Sequence, residues 1–187
     1  MKQLFRNALS RFKTFFIKRT LNLQNVAYES PPIYSGVWPR IKNEGKILLA
    51  GNCSFRSFRT RPYITVLKDA VLEIGQGTFV NDGVNLCAKS SIKIGANCKI
   101  GDMTYIYDTD FHQVSPQYPT KCAPVSIGSN VWIGANSMIL AGSKIGDHSV
   151  IAAGSIVVGE IPAKTLAAGS PATVIRQLDM PDDWVRD

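Results

Sequence analysis

Histidine is nearly absent from this chain: His112 and His148 are the only two in 187 residues. Cysteine is little more abundant. The residues at 53, 87, 98 and 122 form no C-x-x-C pair and none adjoins a histidine, so neither a zinc knuckle nor a redox dithiol is written here. Reduced thiols fit a cytoplasmic protein. No run of 18 or more apolar residues occurs, so no membrane-spanning helix is expected, and Lys and Arg interrupt the first apolar residues too often for a secretory signal. Charged residues make up 19% against 45% hydrophobic, the balance of one folded domain with a core rather than of a disordered chain.

Acidic residues are scarce in one part above all. Residues 1–62 hold 12 Lys and Arg against Glu29 and Glu44 alone, whereas the remainder carries 9 basic and 12 acidic residues. The asymmetry points to an anionic counterpart for the N-terminal part: nucleic acid, a lipid surface or a phosphorylated ligand. Within residues 2–19, Leu4, Phe5, Ala8, Leu9, Phe12, Phe15 and Phe16 recur at helical spacing, and Lys2, Arg6, Arg11, Lys13, Lys18 and Arg19 fill much of the rest. This basic amphipathic helix has two readings. It lies peripherally on an anionic leaflet, the inner membrane surface, or it docks its apolar face on its own domain or a neighbouring subunit. No nucleic-acid module accompanies the basic residues, so nucleic acid is not the expected partner.

The dominant pattern has a period of six. An aliphatic residue opens each hexad at Ile74, Val80, Leu86, Ile94, Ile100, Ile106, Ile127, Ile133, Ile139, Ile145, Ile151 and Val157. The fifth position is small or β-branched, as at Thr78, Val84, Cys98, Thr104, Val131, Ser137, Ser143, Ser149 and Ser155. Six matches neither the 3.6 of a helix nor the plain alternation of a strand, and Gly, Asn and Asp recur as turn residues. Each hexad is therefore a short strand plus a corner. Stacked hexads bury the aliphatic column, and three per coil give a triangular parallel β-helix. The register breaks once, between Ile94 and Ile127, which predicts an excursion loop at about 112–126 that begins with His112. Loops interrupting a rigid scaffold are where function concentrates. Cys87 and Cys98 fall in small-residue slots and read as inert, and His148 reads as a solvated corner residue. Arg56, Arg59 and Arg61 either decorate the first coil or face a phosphorylated substrate.

In Ile127-Gly-Ser-Asn-Val-Trp-Ile-Gly-Ala135, Ile145-Gly-Asp-His-Ser-Val-Ile-Ala-Ala-Gly-Ser155, Ile161-Pro162 and Ala167-Ala-Gly-Ser-Pro-Ala-Thr-Val-Ile-Arg176, preceded by Asp108-Thr-Asp-Phe-His112, the chain resembles the hexapeptide-repeat acyltransferases. Within them it is similar to sugar O-acetyltransferases of the maltose and galactoside type and of capsule or lipopolysaccharide synthesis. The resemblance spans about residues 64–178. It implies an all-β, left-handed parallel β-helix, against the usual right-handed crossover rule. The expected organisation is a basic N-terminal extension with the amphipathic helix at 1–62, the catalytic β-helix at 63–178 with its loop, and a C-terminal tail at 179–187.

The resemblance also assigns roles. Moving an acetyl group from a thioester to a sugar hydroxyl requires a base for a weakly acidic alcohol, and a neutral imidazole suits that task at pH 7, so His112 is the catalytic candidate. Asn81, Asp82, Asp110 and Trp132 are implied around the acceptor; because facing alternates along a hexad, at most one of Asp108 and Asp110 points to the site. Acetyl-CoA is implied as co-substrate, without a metal, held by Trp132, Ala135, Ala153, Gly154, Lys164, Ala168 and Arg176, with a backbone amide near Gly134-Ala135 facing the thioester oxygen. The sequence departs from the family pattern in two places: its Thr-Lys-Asp-Ile-Pro reads Val158-Gly159-Glu160-Ile161-Pro162, losing the lysine, and Thr173 stands where a basic residue is common. Homotrimers with sites between subunits are implied, acting in the cytoplasm on surface-polysaccharide sugars. The alternatives are N-acetylation of a free or nucleotide-linked amino sugar, and a non-catalytic hexapeptide-repeat scaffold. A γ-type carbonic anhydrase needs three metal-binding histidines, and the chain has two.

Overall fold

A computed structural model describes residues 15–187. Most of the expected amphipathic helix, residues 2–14, lies outside the described residues. Its continuation at 15–23 is helical, and it docks on the coil through Ile17 and Leu21, one turn apart and both buried. Phe15 and Phe16, expected on the docking face, are 66% and 57% exposed. Among the described residues, no helix is long and apolar enough to cross a membrane.

The rest is a triangular parallel β-helix of about six turns. Face 1 stacks Val26–Tyr28, Lys46–Leu49, Val71–Ile74, Ser91–Ile94, Val125–Ile127, Lys144–Ile145 and Glu160–Ile161. Face 2 stacks Ile33–Gly36, Ser54–Ser57, Phe79–Val80, Lys99–Ile100, Trp132–Ile133, Val150–Ile151 and Thr165–Gly169, and Ala172–Gln177 closes it as an antiparallel strand. Face 3 stacks Arg40–Asn43, Tyr63–Val66, Asn85–Ala88, Tyr105–Tyr107, Met138–Ile139 and Ile156–Val157.

All twelve hexad openers are at most 3% exposed, and each such side chain contributes roughly 1.5–3 kcal/mol by its burial. The fifth-position hydroxyls point inward and are satisfied by neighbouring carbonyls: Thr78 Oγ1 donates to Gly95 O at 2.8 Å, Ser143 Oγ to Val157 O at 3.0 Å and Ser149 Oγ to Pro162 O at 2.7 Å. A small polar residue here caps a corner from inside without leaving an unpaired group.

The coil begins earlier than the repeat. Residues 26–62, expected as an extension, already form strands in all three faces. Their periodicity is hidden by longer coils: Ile47 pairs with Leu72, 25 positions on, whereas Ile133 pairs with Ile151, 18 positions on. The excursion runs from 108 to 124, between the strands Tyr105–Tyr107 and Val125–Ile127, and a Thr109–Cys122 bridge pins its base.

Cys98 lies inward and fully buried, and Cys53 is 1% exposed; burial pushes both thiols up to about 11. Cys87 is 7% exposed, and burial and then Asp108 push its thiol up as well. Only Cys122, on the excursion, is exposed. A thiol reagent at pH 8 is therefore expected to label Cys122 alone in the native protein and all four cysteines after unfolding; rapid labelling of a second native thiol would contradict this packing.

Candidate functional site

The edge between faces 2 and 3 is built from the corners 81–84, 101–104, 134–137 and 152–155, with Ala168 aligned to Ala152 below them. Backbone bonds couple successive corners: Asn81 N–H to Ile100 O at 3.1 Å, Asn136 N–H to Asp102 O at 2.8 Å and Gly154 N–H to Ala135 O at 2.8 Å. This close stacking demands glycine. A Cβ on Gly134 would lie 2.4 Å from Ala153 N, and one on Gly101 2.6 Å from Ala135 N. The column therefore brings Asn81, Ala135, Ala153, Gly154 and Ala168 onto one edge.

At the level of residues 129 and 147, the edge between faces 1 and 2 pairs its corner amides with side chains. There, Ala96 N–H donates to Ser129 Oγ at 3.2 Å and Ser129 N–H to Asp147 Oδ1 at 2.6 Å, so these two corner amides are satisfied by the side chain below. At the equivalent positions here the residues are Ala135 and Ala153, which carry no acceptor. Among the described residues neither of their N–H groups has a partner. Ala153 and Gly154 are exposed, and a Cβ at Gly154 would meet nothing within 4 Å. The result is an open edge lined with unpaired donors, suited to carbonyl oxygens of an extended ligand arm and to charge developing on one of them.

The excursion leaves from the edge between faces 3 and 1. Asp108, fully buried, accepts Lys89 N–H and Ser90 N–H at 2.7 Å each, so it closes the coil above and is not part of a site. Asp110 N–H donates to Lys121 O at 3.0 Å across the base of the excursion, and Asp110 O accepts His112 N–H at 2.7 Å. Between them Phe111 adopts φ +59°, a left-handed conformation that a non-glycine residue holds at a cost. Its ring packs edge-on against Tyr107 at 5.8 Å, and Tyr107 in turn against Tyr105 at 5.8 Å. This aromatic ladder lays the excursion toward face 3 and presents Asp110 and His112, both exposed, on one tight turn.

Asp82 does not face outward as an acceptor contact. It is 3% exposed, and its Oδ1 accepts Arg59 N–H at 3.0 Å and Thr60 N–H at 3.4 Å. Burial alone would raise its pKa, but the N–H groups of Arg59, Thr60 and Phe58 and the Arg59 charge outweigh it and hold the carboxyl below the usual carboxylate range. A depressed native pKa stabilises the fold above the unfolded carboxyl pKa of about 3.9, and that stability is lost as pH falls through the native value. Asp82→Asn is therefore expected to lower the melting temperature at pH 7 and to flatten its decline in acid. Superimposable acid melts would refute the anchoring role. Asn81, half-buried beside it, accepts Asp82 N–H through Oδ1 at 3.0 Å and keeps its amide N–H₂ free among the described residues.

The remaining expected residues lie elsewhere. Trp132, 47% exposed, projects from face 2 in one column with Lys99 and Phe79, away from the excursion. A cleft of about 380 Å³ there is lined by Phe79, Lys99, Trp132, Arg186 and Asp187. Arg176, paired with Leu166 on the closing strand, is exposed. Lys164, expected at the cofactor, is instead paired with Asp182 at 2.5 Å. His148 is the expected corner residue, at φ +62°, but half-buried: its Nδ1 lies 2.9 Å from Asn130 Nδ2, which also donates to Trp184 O at 2.7 Å. The C-terminal tail thus folds back over the coil, a contact that no sequence pattern announces. The unpaired donors fall on Ala135 and Ala153, two of the positions expected at the cofactor, and their signal is legible: alanine at 135 and 153, where the neighbouring edge has Ser129 and Asp147. Among the described residues no group of three or more His, Cys, Asp and Glu is placed to hold a metal ion.

Comparison with known proteins places this geometry. The family model described as bacterial transferase hexapeptide (six repeats) matches residues 124–159. Galactoside O-acetyltransferase of Escherichia coli is 35% identical over 111 residues, 58% of this chain and 55% of that protein, so the chain spans about half the length of this relative. A putative acetyltransferase of Saccharomyces cerevisiae is 34% identical over 138 residues, 72% of this chain and 69% of that protein. The structure of a hexapeptide-repeat acetyltransferase of Vibrio cholerae complexed with acetyl-CoA superimposes with a TM-score of 0.60 at 27% identity, covering 86% of this chain and 74% of that one. The repeat, the coil and these likenesses agree: the chain belongs to the hexapeptide-repeat acetyltransferase family.

Proposed function

We propose that this protein is an acetyl-CoA-dependent O-acetyltransferase acting on a sugar hydroxyl, with His112 as general base. The observation that carries the reading is the line of unpaired Ala135 and Ala153 donors on an edge bordering the same face as the His112 excursion. When bound, acetyl-CoA supplies an acyl group already activated as a thioester. Ala135, Ala153, Gly154 and Ala168 would hold its arm and Arg176 its phosphates; Lys164 is engaged by the exposed Asp182 and would exchange that partner for the cofactor. The imidazole of His112 accepts the acceptor hydroxyl proton as its oxygen attacks, and returns it to the departing thiolate. The Ala135 N–H meets the negative charge that develops on the carbonyl oxygen, where a fixed donor stabilises the transition state more than the ground state. Asn81 and Asp110 orient the acceptor.

The galactoside relative and the acetyl-CoA complex support the acceptor and donor classes. A surface-polysaccharide sugar, modified in the cytoplasm or at the inner face of the membrane, is the acceptor this reading screens first, in keeping with the basic N-terminal part of the chain. Trp132 lies on face 2 and His112 beyond face 3, so a site using both draws on two chains, which favours a trimer. The test is acetyl transfer from acetyl-CoA to sugars and amino sugars, followed by mass spectrometry. An added acetyl ester, labile to mild base, is expected; a base-stable amide would shift the reading to N-acetylation, and no transfer to any acceptor would oppose it.

A further inference from the structure

The corner above Asn81 is irregular. From Phe55 to Ile64 the chain takes nine positions where the paired stretch one coil below, Val80 to Leu86, takes six. This excess carries Arg56, Phe58, Arg59 and Arg61, all exposed, against a background in which residues 1–62 have two acids. The segment is held in place rather than loose. Asp82 accepts the Arg59 and Thr60 N–H groups, Gly83 N–H donates to Thr60 O at 2.7 Å, and Arg59 Nη2 meets Asp102 Oδ2 at 2.8 Å.

Arg56 Nε forms a long ion pair with Asp82 Oδ2 at 3.9 Å, a carboxylate already held by the Arg59 and Thr60 N–H groups, and Arg61 has no ion-pair partner among the described residues. The Arg56 guanidinium stacks 5.6 Å over the ring of Phe58, which is itself 65% exposed. An exposed aromatic ring stacked by one guanidinium, on a segment that also carries the unpaired Arg61, matches a sugar face next to a negative charge, since the planar fork pairs bidentately with carboxylate or phosphate. The segment rests directly on the corner that carries Asn81.

Building on the sugar-acceptor reading, we infer that the acceptor is an anionic sugar whose carboxylate or phosphate is held by Arg56 and Arg61. The test is calorimetric titration of the full chain with galactose 1-phosphate, galacturonate and galactose, in the wild type and in R56Q/R61Q. At least one anion is expected to bind about tenfold more tightly than galactose, and the double variant to bring it down to the galactose level. Selective binding of galactose 1-phosphate assigns the charge to a phosphate, and selective binding of galacturonate to a carboxylate. Equal binding of the three, no binding of any, or a charge preference that survives R56Q/R61Q overturns the inference. Because binding is the readout, a wild type that prefers anions yet transfers no acetyl group overturns the proposed reaction and leaves only the Arg56 and Arg61 anion site standing.

Discussion

His112→Ala is expected to lower acetyl-transfer turnover by about 10²–10⁴-fold while leaving acetyl-CoA affinity nearly unchanged. The imidazole sits on the exposed turn that Asp110 closes and that Phe111 enters at φ +59°. The side chain is exposed and makes no hydrogen bond among the described residues, so the melting temperature should stay where it is. The strain at Phe111 is compensated by the Tyr107 ring, which makes the turn a fixed feature and not a random loop conformation. Single-turnover rates with a saturating acceptor separate the two contributions. A variant that turns over at the wild-type rate would remove His112 from the chemistry.

Ala153→Trp is expected to weaken acetyl-CoA binding on the order of 10²-fold, about 2.7 kcal/mol, without unfolding the coil. Ala153 is exposed, so an indole there finds space in solvent, but it would cover the unpaired Ala135 and Ala153 donors. Ala163, also exposed, is a corner residue on the edge between faces 1 and 2 and provides the control. Ala163→Trp should bind acetyl-CoA as the wild type does. Unchanged affinity in Ala153→Trp, or equal losses in both, would place the cofactor on another surface.

The regular coils were legible because their pairs stand 18 or 20 positions apart, so a period of six survives along the chain, as from Ile133 to Ile151 and from Ile74 to Ile94. Residues 26–62 obey the same hydrogen bonding with longer corners, and a corner that lengthens by a few residues erases the period while preserving the fold. For the same reason the first coils read as an extension. The helix pattern selected Phe15 and Phe16, but the chain enters the coil at Val26, and that entry turns Ile17 and Leu21 to the core instead.

Site residues divided along a similar line. Small residues at 135 and 153 announced an open edge because what matters there is the absence of side-chain atoms. Asp82 was misread because a corner carboxylate looks the same in sequence whether it faces a ligand or accepts N–H groups from the coil above. The partner that decides, the Arg59–Thr60 backbone, belongs to an irregular corner 22 residues away. The Lys164–Asp182 pair was illegible for a comparable reason, since the tail that brings Asp182 back carries no repeat to place it.

Titration calorimetry of acetyl-CoA into the full chain, with His112→Ala and Ala153→Trp in parallel, tests the account most directly. Saturable binding to the wild type, preserved in His112→Ala and lost in Ala153→Trp, is the predicted result: it would assign the unpaired donors to the cofactor and His112 to the chemistry. No binding to the wild type at millimolar ligand, or binding untouched by Ala153→Trp, would contradict it.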